Sequence, residues 1–403
     1  MINLKTIRNL IFILALSVLC LGIGYNLGKK DTAKIGGVSF SPSAQTIQQS
    51  NQNTQNLDFA LFWKVWETLK ITYFDKTKLD PTQMYYGAIS GMVSALGDPY
   101  TTFLTPSQNK DSKEELGGLF EGIGAQLGFK DKRIVVVAPL KDTPAEKAGI
   151  KAGDWIVKIG DKETTNMNLQ EAVNLIRGPK GTKVKLTILH EKETKTQEIE
   201  VSRDTIFVKS VELSFKNNAA VLKLSRFGDS TNDEWDKAVT EIVSKGSSLK
   251  GLVLDLRNNP GGYLTGSVYI ASEFIKSGPV VIQEDGNGKK QNYAVNRIGR
   301  LLNIPIVVLI NQGSASASEI VAGALVDYKR AKTVGEKSFG KGTIQDAQDL
   351  DNGAGLHVTI AKWLTPQERW INSTGIEPDY PVAMDEKDQT KDPQLEKALD
   401  LLK

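Results

Sequence analysis

A chain of 403 residues with 40% apolar and 24% charged residues holds enough apolar material for two or three domains of about 150 residues each, and it lacks the low hydrophobicity of a disordered chain. Its 50 Lys and Arg stand against 47 Asp and Glu, a net charge of +3, which argues against a dedicated nucleic-acid binder with one strongly positive face. One cysteine, Cys20, excludes an intramolecular disulfide and a cysteine-based zinc site, and the two histidines, His190 and His357, leave His-based metal or catalytic chemistry dependent on one or two positions.

Residues 10–27 (LIFILALSVLCLGIGYNL) carry no charge and lie between Lys5 and Arg8 on one side and Lys29 and Lys30 on the other. The run is just long enough to cross a bilayer, and no small-x-small cleavage site follows it. An uncleaved membrane anchor over 1–30 is the expectation, with a cleaved secretory signal as the alternative. Cys20 follows Leu19 where a lipidation site wants a small residue, so it reads as an inert thiol. Either way the remainder is expected outside the cytoplasm, on the cell membrane or secreted. The four basic residues of 1–30 leave 46 basic against 47 acidic residues beyond them, a net charge of −1.

Residues 31–56 are rich in Ser, Gln and Asn without apolar periodicity and read as a disordered tether. Over 57–113 Phe59, Phe62, Trp63 and Trp66, then Tyr86, Ile89, Met92 and Val93, recur at helical spacing, and Gly97-Asp98-Pro99 closes the second helix. This predicts a small helical hairpin.

From 114 to 203 the texture changes to short β-like runs, 134–137 and 184–189, around helices at 144–148 and 169–176. In Glu121-Gly122-Ile123-Gly124-Ala125 the two glycines can turn consecutive N–H groups toward one point just before a strand, a nest suited to a carboxylate. Taken alone it reads sooner as an ordinary glycine turn. The series continues with Thr143-Pro144-Ala145 and Gly153-Asp154-Trp155-Ile156-Val157 before the helix at 169–176, and in this order it resembles the PDZ domain. That resemblance implies recognition of free polypeptide C-termini, with Gly122, Ile123, Gly124 and Ala125 as the carboxylate loop.

The stretch 204–385 alternates strands (220–224, 252–256, 306–310) with helices, the first at 231–243, which is an α/β pattern. Two strand ends carry candidate chemistry. Leu254-Asp255-Leu256-Arg257-Asn258-Asn259-Pro260-Gly261-Gly262 runs a strand into a tight polar loop whose glycines can present N–H groups to an oxyanion. The strand 306–310 is followed by Asn311-Gln312-Gly313-Ser314-Ala315-Ser316-Ala317-Ser318-Glu319 and a helix, where a serine hydroxyl lies beside free helix N-terminal amides. On local evidence alone helix capping is the favoured reading of the three serines. A Ser-His-Asp triad is poorly supported, since His190 falls in the peptide-binding module and His357 has no obvious carboxylate partner.

Gly340-Lys341-Gly342-Thr343-Ile344-Gln345 offers a lysine base, with Lys341 and Gln345 on one face if the segment is extended. Such a lysine must lose a proton it ordinarily keeps to about pH 10.4, and burial can bring that about. Two decoys fall away. Residues 335–341 read G-x-x-x-x-G-K, but Gly342 stands where a phosphate-binding loop needs Ser or Thr. Residues 349–353 faintly resemble a calcium loop, yet Ile360 occupies the position of the bidentate Glu, so a hairpin turn is expected.

Together the motifs at 86–89, 97–101, 254–262, 313–320, 335–345 and 375–379, with the PDZ-like module, resemble the carboxyl-terminal processing peptidases. The family places its nucleophile 25 residues before its lysine, which selects Ser316 as partner of Lys341. It further implies that Gln345 orients the lysine, that the backbone amides of Ala317 and of Gly261 or Gly262 form the oxyanion hole, and that the core is crotonase/ClpP-like. Trp363 stands where the family usually has tyrosine, and Gln367-Glu368 where a glycine is common; neither is expected to touch the chemistry.

The expectation is an α/β serine endopeptidase acting on polypeptide C-termini, with no cofactor, metal or nucleic acid. It divides into an anchor (1–30), a tether (31–56), a helical segment (57–113), an inserted PDZ domain (114–203), a protease core (204–385) and a C-terminal tail (386–403). A homo-oligomer or an adaptor is left open. The alternatives are a non-catalytic tail-binding scaffold and a Ser-His hydrolase using His357.

Overall fold

The computed structural model describes residues 58–130, 133–165, 167–190, 193–384 and 391–403, so the anchor expected over 10–27 and the tether lie outside the described residues. Among the described residues no helix is long and apolar enough to cross a membrane. The chain divides into two units, Met1–Leu79 and Asp80–Lys403. In the first, helix α1 (Ala60–Thr72) spaces its rings so that they stack along it, with the centroids of Phe62 and Trp66 6.2 Å apart.

The second unit starts with α2 (Pro81–Ser94). Its first turn is set by Pro81 and by Asp80, which accepts the Thr82 and Gln83 N–H groups. The chain turns at Gly97, φ +70, into β1 (Thr102–Leu104) and then α3 (Pro106–Gly117), which opens on a Thr105/Gln108 capping box.

Next come β2 (Leu119–Gly122), β3 (Ala125–Lys130), β4 (Arg133–Pro139), α4 (Pro144–Lys147), β5 (Trp155–Ile159), β6 (Lys162–Glu163), α5 (Leu169–Ile176), β7 (Lys183–Leu189), β8 (Gln197–Ser202) and β9 (Asp204–Phe207). β2 and β9 pair antiparallel, so the chain enters and leaves this module through neighbouring strands. Inside it the sheet order is β3-β4-β5-β7-β8, with β3 at the edge. Alternate residues Ile134, Val136, Leu186 and Ile188 are buried on one face against Ala172 and Ile176 of α5.

The core continues with β10 (Val211–Lys216), β11 (Ala219–Leu224), α6 (Thr231–Lys245), β12 (Gly251–Asp255), α7 (Leu264–Ala271), β13 (Pro279–Asp285), β14 (Lys290–Ala294), β15 (Ile306–Ile310), α8 (Ala317–Asp327), β16 (Lys332–Gly335), β17 (Thr343–Asp349), β18 (Gly355–Leu364), β19 (Tyr380–Pro381) and α9 (Pro393–Asp400). One sheet has the order β10-β11-β12-β15-β16-β19, parallel from β11 onward. Every residue of β12 and β15 is buried, which is why 251–254 and 306–310 read as unbroken apolar runs, with only Asp255 at the end of β12 charged. Leu252 and Leu254 face the main core with Trp235 and Phe274, while Val253 faces the opposite side.

That second face needs a cover. Residues 391–403, expected from the sequence to be a tail, supply it: Ala398, Leu399 and Leu402 pack on Val221, Val253, Val307 and Leu309. A second sheet, β1-β18-β13-β14 with β17 on β18, stands beside the first. The suspected calcium loop is the turn of the β17–β18 hairpin, closed by Leu350 N–H donating to the Ala354 carbonyl at 2.8 Å.

Candidate active site

Three loops leave the carboxyl ends of the parallel strands β12, β15 and β16, where open α/β sheets place their ligands. All three carry residues singled out in the sequence, and a cavity of about 830 Å³ joins them. Ser316, Lys341, Gln345, Gly261 and Gly262 line it, as do Arg226, Tyr263, His357 and Trp363.

The loop after β15 separates the three serines. Ser314 and Ser318 are fully buried. The Ser314 hydroxyl donates to the Leu256 carbonyl at 2.8 Å, and that of Ser318 donates to the carbonyls of Asn259 and Ala315 at 2.8 and 2.7 Å. Both tie the turn to its neighbour. Ser316 is half-buried, faces the cavity and has φ 56° and ψ −118°, a left-handed backbone that costs a non-glycine residue about 1–3 kcal/mol.

Glu319 offsets that strain. Its carboxylate, 0% exposed, accepts the Ser316 N–H at 2.9 Å and the Lys341 N–H at 3.0 Å through one oxygen. Through the other it accepts the Gly340 N–H at 2.7 Å and the Ser338 hydroxyl at 2.6 Å. One buried carboxylate thus fixes the backbones of both candidate catalytic residues. Sequence reasoning missed Glu319; its place three residues after Ser316, in the first turn of α8, was the available signal.

The loop after β12 is locked to the serine turn. Asn258 and Asn311 exchange two bonds of 2.8 and 2.9 Å, and the Asn259 carbonyl accepts the Ala315 N–H at 3.0 Å. Gly261, φ +106, lies so close that a Cβ there would stand 2.8 Å from the Ser316 Cβ and 3.0 Å from the Ala317 nitrogen. Its N–H donates to the Asn259 side chain at 2.9 Å. Gly262 packs on Phe227, whose carbonyl oxygen would lie 2.1 Å from a Cβ at that position, so neither glycine admits a side chain.

Lys341 sits between two glycines that close packing requires: a Cβ on Gly340 would meet the Gly375 nitrogen at 2.9 Å, and one on Gly342 the Trp370 indole nitrogen at 2.7 Å. Burial pushes the Lys341 ammonium below the ordinary lysine range, and Asp98 and Glu319 pull partly against it. The Nζ stands 4.9 Å from the centre of the Tyr100 ring. Trp363, which sequence reasoning kept away from the chemistry, does reach it: its indole N–H donates to the Lys341 carbonyl at 2.8 Å.

Gln345 and Lys341 reach one cavity, though not by simple alternation. Lys341 precedes β17, and a register shift between Ile344 and Gln345 breaks the period of two. The Gln345 amide donates to the Thr343 and Thr359 hydroxyls at 2.9 and 3.1 Å, leaving its oxygen as the atom able to accept from Lys341. Thr359 N–H donates to Thr101, whose hydroxyl donates to Asp98 at 2.6 Å, so the Gly97–Thr101 segment underpins the lysine side of the cavity.

His357 also lines the cavity, and burial together with the nearby Lys341 charge pushes its pKa down. His190 is elsewhere, at the end of β7, with Nδ1 2.7 Å from Asp154. The Gly122–Ala125 segment joins β2 to the edge strand β3. Its carbonyls are held from behind, that of Ile123 by the Ala145 N–H and that of Gly124 by the Leu140 N–H, each at 2.8 Å. Gly124 has φ +76, and a Cβ would stand 2.4 Å from that of Thr143.

Residues 218–382 match the peptidase family S41, residues 135–189 the PDZ domain, and residues 22–107 the N-terminal domain of the activating protease CtpB. The carboxy-terminal processing protease CtpA of Bacillus subtilis is 39% identical over 356 residues, which cover 88% of this chain and 75% of that protein. A Staphylococcus haemolyticus protein named as a probable CtpA-like serine protease is 36% identical over 95% of this chain and 74% of its own length. A crystal structure of an S41-type protein from Bacteroides fragilis superposes with a TM-score of 0.56 over 82% of this chain and 91% of that one; at 18% identity this speaks for the fold alone.

Proposed function

This chain belongs to peptidase family S41 and is a PDZ-bearing serine protease of the C-terminal processing type, and from that premise we propose that Ser316 is its nucleophile and Lys341 its general base. Ser316 Oγ attacks the carbonyl carbon of the scissile bond while its proton passes to Lys341 Nζ. The amides of Ala317 and of Gly262 receive the developing oxyanion, the Gly261 N–H being already held by Asn259. Collapse breaks the C–N bond, and Lys341 returns its proton to the leaving amine. Water then attacks the ester, giving a proton to Lys341, which passes it to Ser316 Oγ as the acyl C–O bond breaks and the new carboxyl terminus leaves. Gln345 orients the lysine through its side-chain oxygen.

The observation that carries this reading is the pairing, on one buried carboxylate, of a strained serine with a lysine whose pKa burial depresses. A lysine base needs to be neutral at working pH, and partial desolvation favours that form. Ser316→Ala and Lys341→Ala should each abolish cleavage of an unfolded protein with an apolar tail. The presence of His357 in the same cavity supports one rival, a histidine base; it predicts loss of activity in His357→Ala and tolerance of Lys341→Ala.

The substrate's C-terminal carboxylate is read as docking at Gly122, Ile123, Gly124 and Ala125, with its chain laid along the open edge of β3. Residues 10–27 are read as a single-pass anchor that holds the catalytic region outside the cytoplasm. Cell fractionation with protease protection tests this; recovery of the full-length chain in the cytosolic fraction would refute it.

A further inference from the structure

We propose that the C-terminal helix α9 is a clasp that positions the oxyanion loop, acting through Arg257. The proposal rests on the assignment of residues 258–262 as that loop.

Arg257 lies just past the end of β12, immediately before the loop. All five of its guanidinium N–H groups are used. Nε and Nη2 donate to the two Asp255 oxygens at 2.9 and 2.7 Å; Nη1 and Nη2 donate to the two Asp392 oxygens at 2.9 and 2.8 Å; the remaining Nη1 hydrogen goes to the Gln394 oxygen at 3.0 Å. Two forked pairs and a carboxamide define the plane of the guanidinium in every direction, which a lysine could not reproduce. The Arg257 side chain is 14% exposed.

Asp392 and Gln394 belong to the start of α9. Asp392 also accepts the Leu395 N–H at 2.9 Å, and the fully buried Gln394 donates to the Val382 carbonyl at 2.8 Å. Val382 N–H in turn donates to Gly335, the last residue of β16, at 2.9 Å. The helix therefore grips the roots of two loops, one leading to Gly261 and one leading to Lys341. From Arg257 the path to the nucleophile is short and made of bonds already described: Asn258 to Asn311, Asn259 to Ala315, Gly261 against Ser316. A buried ion cluster is weak evidence for stability, because desolvation cancels much of its Coulombic gain. Holding a geometry is what this one is built to do.

The test compares Asp392→Asn, which keeps the shape and the helix cap, with Arg257→Lys and the double variant, all in the full chain. A misplacement near 1 Å costs about 100-fold in rate. Each single variant is expected to lower kcat about 10- to 100-fold with KM and tail-peptide affinity unchanged. Affinity for a peptide boronic acid should fall in parallel with kcat, and the double variant should be no worse than the worse single one. Arg297→Gln, which opens the buried Arg297–Glu273 pair of 2.6 Å, is the control for lost stability alone and should lower Tm while keeping kcat. The clasp is refuted if Asp392→Asn and Arg257→Lys keep kcat within about twofold while Ser316→Ala is inactive, or if kcat falls with no loss of boronate affinity. Full cleavage by Ser316→Ala would instead overturn the Ser316 assignment itself.

Discussion

Lys341 must be neutral to accept a proton, so the acid limb of kcat/KM should follow its titration, with activity rising as pH rises through the depressed lysine pKa. Asp98 and Glu319 oppose the effect of burial by favouring the ammonium. Removing the Asp98 charge should therefore lower the lysine pKa further and shift the acid limb of Asp98→Asn to lower pH; a shift to higher pH would contradict this electrostatic account. Glu319 has a different role. It accepts three backbone N–H groups and one hydroxyl, and a glutamine would turn one acceptor oxygen into a donor facing donors. Glu319→Gln should cost about 3 kcal/mol in urea unfolding, the scale of one or two buried charge-assisted bonds, and should slow catalysis as the Ser316 turn relaxes.

At the scale of elements, chemistry arises where strand ends and loops bond to one another. The loop that carries the proposed base is held from β18 by Trp363, whose indole grips the Lys341 carbonyl. Trp363→Phe removes that donor and shrinks a fully buried ring, so kcat should fall roughly tenfold, a part of the 10²–10⁴ that a general base supplies, together with a lower Tm from the cavity it leaves. The apolar runs 251–254 and 306–310 were legible in the sequence because strands buried on both faces are near-continuously apolar. The glycines around Lys341 were legible for a related reason, since close packing leaves room for nothing else. Other features were not. Nothing local ranks Ser316 above Ser314 and Ser318, because the difference lies in which hydroxyls the neighbouring loop captures. Nor does a run such as Leu-Asp-Leu-Leu-Lys announce that it covers a sheet; that follows from Val221, Val253 and Val307 facing away from the main core. The family's glycine near position 367 also acquires a reason, since Glu368 adopts φ +60, where glycine carries no strain.

At the scale of the molecule, the PDZ module, proposed to bind tails, joins the protease core through the paired strands β2 and β9. Binding and chemistry occupy separate cores, so they should be separable by mutation. Gly124→Ala forces a Cβ against Thr143 at a left-handed backbone position. It should raise KM for a tailed substrate at least several-fold while leaving the rate of Ser316 acylation by a small activated ester unchanged; equal loss for both substrates would deny the module its proposed role.

The assignment of Ser316 and Lys341 as a pair is tested most directly by labelling the full chain, in the presence of an apolar tail peptide, with a phosphonylating serine probe across a range of pH, followed by peptide mapping. The account predicts label on Ser316 alone, a rate that climbs with pH along the same limb as kcat/KM, and no label in Lys341→Ala. Label on Ser314 or Ser318, or undiminished Ser316 labelling in Lys341→Ala together with its loss in His357→Ala, would contradict it.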